Sequence, residues 1–201
     1  MINIGLDLDN TIINYSETFY EVALEKKLIP RNFSKNKALI RDFFHKNNRY
    51  DLFTKLQGEI YGKQIIKAKI YSGFKEFIDL ISNKEANIYI ISHKTKYPII
   101  GDKVDLHECA INFLKQKNIL DNTIIKQKNI FFEPTVEKKI KRIINLKLDV
   151  FVDDLPKILL HQDFPSATKK ILIDYSNSNK EFTGITSNKW NEVFKNIFDF
   201  N

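Results

Sequence analysis

The sequence predicts an α/β sandwich with a mostly parallel sheet, and three observations lead there. Short apolar runs suited to buried strands alternate with amphipathic helical stretches along the chain. Three of those runs, at 2–6, 87–91 and 149–152, each end on polar residues: Asp7 and Asp9, then Ser92, then Asp153 and Asp154. The length of 201 residues suits one domain, or one domain carrying a small insert, and is ample for a core. Strands separated by helices favour parallel order with both faces covered, and such sheets bind ligands beyond the carboxyl ends of their strands.

The elements follow in order. Ile2 to Leu6 reads as a strand running into a loop of carboxylates. Ser16 serves as N-cap of a helix to about Leu28, with Phe19, Val22 and Ala23 inward and Pro30 as its stop. Helical patterns recur at 35–45 and 49–61, with Phe43, Phe44, Leu52, Phe53 and Leu56 as buried candidates. A helix over 74–81 leads to a strand over 87–91. A polar loop, 93–105, leads to a helix over 106–116. A strand over 130–132 precedes a helix that Glu133-Pro134-Thr135 opens and that runs to Leu146. A strand over 149–152, a short helix over 155–161, a strand over 170–174 and a helix over 188–198 complete the chain.

Composition excludes several classes. With 43% hydrophobic and 28% charged residues the chain is globular rather than disordered or fibrous. A lone Cys109 excludes an internal disulfide and a cysteine zinc cluster, and its place on a helix reads as core. No apolar run reaches the length of a membrane span, and the first residues lack the pattern of a signal peptide. A soluble, cytoplasmic protein without a membrane partner is expected. The net charge of +7 invites a nucleic-acid reading. However, 28 of the 32 basic residues are Lys, alongside 30 Ile and 20 Asn. That is a compositional bias rather than an Arg-rich recognition face.

Asp7 and Asp9 sit two residues apart after one strand, and Asp154 follows another. Three carboxylates near one point are costly unless a cation neutralises them, and hard oxygen donors suit Mg²⁺. Asp7-Leu-Asp-Asn-Thr11, Ile90-Ile-Ser92 and Val150-Phe-Val-Asp-Asp154 resemble the first, second and double-aspartate fourth motifs of the haloacid dehalogenase superfamily, in its order and spacing. The resemblance spans nearly the whole chain and implies a Rossmann-like three-layer sandwich. It implies that Asp7 is the phosphoryl-accepting nucleophile and Asp9 the general acid and base. It also implies that Thr11 orients the loop, that Ser92 binds phosphoryl oxygens, and that Mg²⁺ is held by Asp7, Asp154 and the Asp9 backbone carbonyl, with Asp153 behind. An acid two residues after the nucleophile resembles the phosphatase branch.

The third motif calls for a lysine. On a helical wheel Val136, Ile140, Ile143 and Ile144 define a buried stripe, Lys139 lies on its flank, and Lys138 and Lys141 point away. Lys139 is chosen, with Lys138 as the alternative. One departure is Ile158, four positions after Asp154, where the family commonly has a further Asp. Segment 15–67 falls where the superfamily inserts a cap, leaving 1–14 and 68–201 as the catalytic core. In the cap Arg41, His45, Arg49, Tyr50 and Lys55 are possible substrate contacts, with Arg49 preferred; in the 93–105 loop His93, Lys94 and Lys96 are. The expected partner is a small phosphorylated metabolite. Nucleic-acid ends as substrate, and a silent binding protein on the same fold, are the alternatives. His107 and His161 show no metal-ligand spacing.

Overall fold

A computed structural model describes residues 1–120, 123–179 and 181–198. Its centre is a six-stranded, wholly parallel sheet in the order β5-β4-β1-β6-β7-β8. The strands are β1 (Ile2–Leu6), β4 (Ala86–His93), β5 (Ile130–Glu133), β6 (Val150–Asp153), β7 (Lys169–Ile173) and β8 (Ile185–Ser187). Helices α4 (Phe74–Ser82), α5 (Leu106–Gln116), α6 (Val136–Asn145), α7 (Pro156–Leu159) and α8 (Trp190–Phe198) connect or follow them. Between β1 and α4 lie α1 (Ser16–Glu25), α2 (Lys37–Lys46) and α3 (Tyr50–Tyr61). A two-stranded antiparallel pair, β2 (Ile13–Asn14) with β3 (Lys69–Ile70), brackets these three helices.

Both faces of the sheet are covered, and the pleat sorts side chains between them. Ile4 and Leu6 of β1, Val150 and Val152 of β6, and Ile171 and Ile173 of β7 join one core. Helices α4, α5 and α8 supply Phe77, Phe113 and Trp190 to it, and α1 to α3 extend it with Phe19, Phe44 and Leu56. Phe151 and Leu172 face the other way and meet Ile140 and Ile143 of α6 and Ile158 and Leu159 of α7. Ile158 is therefore a core residue.

Several expectations need correction. Ser16 does not cap α1: it is the first helical residue, and its N–H donates to the Asn14 Oδ1 at 3.0 Å. Leu52 and Ile144 are exposed, because α3 and α6 bury narrower stripes than the wheel suggested. Cys109 is only partly buried, at the margin of the core. Strands β2, β3 and β8 were not anticipated; each has three residues or fewer, too few to show a periodicity.

Gly5, in the middle of β1, pairs in register with Tyr89 and Phe151. A Cβ built there would lie 2.3 Å from Leu148 Cδ1 and 2.6 Å from Phe151 Cδ2. Those atoms belong to the packed face beneath α6, so the strand tolerates no side chain at this point. Gly5→Val is expected to cost about 1–3 kcal/mol through overpacking, read as a lower urea midpoint at unchanged slope. An unshifted midpoint would contradict this packing.

Candidate active site

Strands β1, β4 and β6 are neighbours, and the polar residues that follow them converge at one edge. The chain order reverses between β4 and β6 on either side of β1, which is where open parallel sheets leave a crevice. Asp7 is still tied to the sheet, its N–H donating to the Val152 carbonyl at 2.9 Å. The chain then folds back tightly. The Asn10 N–H donates to the Ile13 carbonyl and the Ile13 N–H to the Leu8 carbonyl, with Asn10 in the left-handed region at φ 64°. Asn tolerates that conformation better than most residues. Leu8, Ile12 and Ile13 anchor the turn in the core, leaving Asp7, Asp9 and Thr11 for the edge.

Lys139 reaches this edge from below. Thr135 caps α6 by accepting the Lys138 N–H at 3.2 Å, and Ile140 and Ile143 seat the helix on the sheet. The Lys139 side chain is thereby buried, and its Nζ donates to Asp7 Oδ1 at 2.6 Å and to Asp153 Oδ2 at 2.7 Å. Lys138 and Lys141 are exposed. Asp153, fully buried, also accepts the Leu155 N–H at 2.8 Å. The Thr11 hydroxyl lies 3.2 Å from Asp7 Oδ2 and 3.3 Å from Asp154 Oδ1, between the two carboxylates.

Asp9 occupies a second shelf. Its Oδ1 accepts the Tyr15 hydroxyl at 2.8 Å; its Oδ2 lies 3.5 Å from Ser92 Oγ and 2.8 Å from Lys94 Nζ. The Lys94 ammonium is buried, 4.2 Å from the centre of the Tyr61 ring, and makes an ion contact rather than a well-directed hydrogen bond. Its backbone is pinned on both sides. The N–H donates to the Glu133 carbonyl at 3.0 Å, and the carbonyl meets His107 Nε2 at 2.9 Å. His107 stacks on Phe132, so its place is structural.

Burial dominates the electrostatics. It pushes the Asp7 carboxyl up to about 7; Lys139 opposes this, while Asp153 and Asp9 add to it. Asp154 is likewise pushed well above its ordinary value by burial, then by Asp153 and Asp7. Burial alone would lower Lys139, but Asp153 and Asp7 outweigh it and hold the ammonium charged. One lysine thus faces three carboxylates, a surplus of negative charge.

Asp7, Asp153 and Asp154 each offer an oxygen, all within 4.8 Å of one another. An all-carboxylate set of this size fits a hard divalent cation such as Mg²⁺.

The other predicted contacts take partners elsewhere. His93 is exposed, with Nε2 3.2 Å from the Pro134 carbonyl. Lys96 pairs with Asp105 at 3.6 Å, and Arg49 lies over the Phe44 ring. His45 and Tyr50 pack on each other. The 93–105 loop is clamped against α3: a Cβ on Gly58 would come within 2.7 Å of Pro98. Of its basic residues only Lys94 turns inward to the carboxylates. Tyr15, Lys37, Tyr61, Tyr71 and Tyr175 each join the site from a stretch without a motif, so no local pattern singles them out. A cleft of about 500 Å³ opens beside Asp154 and Asn10, lined on the helical side by Asn36, Lys37 and Arg41, and opposite by Tyr71, Tyr175 and Ser176.

No protein-family model matches the chain, and no curated protein matches it. Solved structures do. A haloacid dehalogenase-like family hydrolase from Streptococcus pneumoniae superposes with a TM-score of 0.67 at 13% identity, covering 98% of each chain. A predicted phosphatase from Clostridium acetobutylicum gives 0.63 at 12% identity, covering 99% of each. The fold is the haloacid dehalogenase fold. A protein of this fold from Bacillus subtilis, solved with magnesium bound, gives 0.62 at 11% identity over 99% of each chain. Among the described residues, no helix of this haloacid dehalogenase fold is long and apolar enough to cross a membrane.

The raised Asp7 carboxyl has a consequence for stability. Its value moves from 3.8 to about 7 on folding, so between those values the folded protein binds more protons than the unfolded chain. The stabilising contribution is full below 3.8 and is lost as pH rises through about 7. Without divalent cations, the thermal midpoint is expected to fall more between pH 5 and pH 8 in the native sequence than in Asp7→Asn, and Mg²⁺ is expected to restore the native protein at pH 8. Equal pH slopes for the two proteins would contradict this.

Proposed function

We propose that the protein is a Mg²⁺-dependent phosphatase that hydrolyses a small phosphate monoester through an aspartyl-phosphate on Asp7. One observation carries the reading: a buried Asp7 held by Lys139, with a second carboxyl, Asp9, two residues on and separately anchored. The haloacid dehalogenase fold, shared with hydrolases and phosphatases, supports it.

An Asp7 carboxylate oxygen attacks phosphorus, the P–O bond to the leaving group breaks, and Asp9 gives a proton to the departing oxygen. Asp9 then takes a proton from water, which attacks the aspartyl-phosphate, freeing inorganic phosphate and restoring Asp7. Tyr15 and Lys94 fix the direction of the Asp9 carboxyl. Lys139 and the Ser92 hydroxyl face charge that develops on the transferring oxygens. Asp7 and Asp154 would hold Mg²⁺, with Asp153 fixing Lys139 behind them. When bound, the ion supplies positive charge that offsets the phosphoryl oxygens and lets a nucleophilic carboxylate approach them.

Helices α1 to α3, in segment 15–67, act as a cap that shields the site from water. The cleft beside Asp154 matches a small substrate better than a nucleic-acid end.

With Mg²⁺, purified protein is expected to hydrolyse an aryl phosphate. Asp7→Asn is expected to lower kcat by at least ~10³-fold, because it removes the nucleophile. Asp9→Asn is expected to lower it by ~10²–10⁴-fold, the usual worth of a general acid. Rapid quenching should trap acid-stable-protein-bound phosphate in the native enzyme but not in Asp7→Asn. Activity retained in Asp7→Asn would overturn the mechanism.

A further inference from the structure

Lys37 is the first residue of α2 and points toward the sheet edge. Its Nζ reaches the Tyr61 hydroxyl at 2.7 Å and Asn10 Oδ1 at 3.3 Å, and lies over the Phe19 and Tyr61 rings at 5.3 and 5.2 Å. All four are neutral. Among the described residues Lys37 forms no ion pair, although other surface and buried lysines do. Arg41 follows one turn later on the same helix and lines the same cleft. Among the described residues its only ion pair is with its exposed neighbour Asp42.

The carboxylates that act on Lys37 through space are Asp154 and Asp9. Both belong to the site just described, and among the described residues neither forms an ion pair with Lys37 or Arg41. The carboxylate on the far wall, Asp174, is turned onto its own loop: it accepts the N–H groups of Ser176 and Asn179 and the Ser176 hydroxyl, and against burial these hydrogen bonds lower its carboxyl, so it stays ionised and bound there rather than pairing with Lys37 or Arg41. The rest of the lining offers neutral hydrogen-bonding groups, Asn14 and Ser16 among them, beside the stacked Tyr71–Tyr175 pair. The α2 dipole, positive at Asn36 and Lys37, adds the same sign.

We infer that Lys37 and Arg41 receive a second anionic group, a carboxylate or a phosphate, on the leaving-group side of the substrate. The inference rests on the phosphatase reading for its chemistry and goes beyond it in naming the substrate class. Two cations at the cleft and a catalytic centre a few residues away define a substrate with negative charge at both ends. Burial lowers the Lys37 ammonium to about 8, against the pull of Asp154 and Asp9, so a buried anion would also stabilise its charged form.

The test compares matched esters with Mg²⁺ present: 3-phosphoglycerate against glycerol 3-phosphate, and propanediol bisphosphate against hydroxypropyl phosphate. The expected result is at least a tenfold higher kcat/KM for an anion-bearing member, the two pairs telling carboxylate from phosphate. Lys37→Met and Arg41→Gln should shrink that ratio at least tenfold, chiefly through KM, and Lys37→Arg should retain most of it. Equal kcat/KM within both pairs, or a Lys37→Met loss equal for neutral and anionic esters, overturns the inference while leaving the phosphatase reading intact. If no ester is turned over, the phosphatase reading fails, and calorimetric titration of Asp7→Asn protein with the same four compounds decides the anion site alone. Tighter binding of an anion-bearing member that Lys37→Met abolishes supports the site; equal binding overturns it.

Discussion

The buried ammonium of Lys139, wedged between Asp7 and Asp153, is the contact on which the rest of the structure depends. Two charged carboxylates could not share that dry pocket without it. Breaking such a pair by removing one partner typically costs about 3–5 kcal/mol, because the remaining charge stays buried. The same contact ties three elements together: α6, the end of β1 and the end of β6. Asp154 stands beside this pair, so the contact that holds the fold together also sets the charge of the candidate site.

Above this floor the signs invert. Lys94 enters from the loop after β4, and Lys37 from α2, with Tyr61 of α3 between them: its ring lies against Lys94 and its hydroxyl accepts from Lys37. The site is thus layered, with an acidic floor built on the sheet and basic groups contributed by loop and helices. A strongly basic chain keeps its chemistry in an acidic cluster, and only a few of its 32 basic residues face it.

Much of the sheet was legible because buried parallel strands read as apolar runs, as in Asn87-Ile-Tyr-Ile-Ile and Val150-Phe-Val. Asp7, Asp9, Ser92 and Asp153 were legible for the same reason: each marks where such a run ends. The flank position of Lys139 was readable from helical periodicity, since Ile140 and Ile143 orient α6. Lys37, Tyr61 and Tyr15 were not. Their places depend on how α1 to α3 pack over the edge, contacts between residues far apart in sequence that leave no local pattern. His93, Lys94 and Lys96 looked equivalent, yet only Lys94 turns inward to the carboxylates, because its backbone is pinned to Glu133 and His107.

The short β2–β3 pair carries a mechanical meaning. Ile13 pairs with Ile70 and Asn14 with Lys69, so the chain leaves the sheet for α1 and returns from α3 side by side. The closure entropy of that long loop is offset at one clasp. The two ends of the segment that carries Tyr15, Lys37 and Tyr61 are therefore fixed together beside the edge, which sets the point from which those side chains are presented to it.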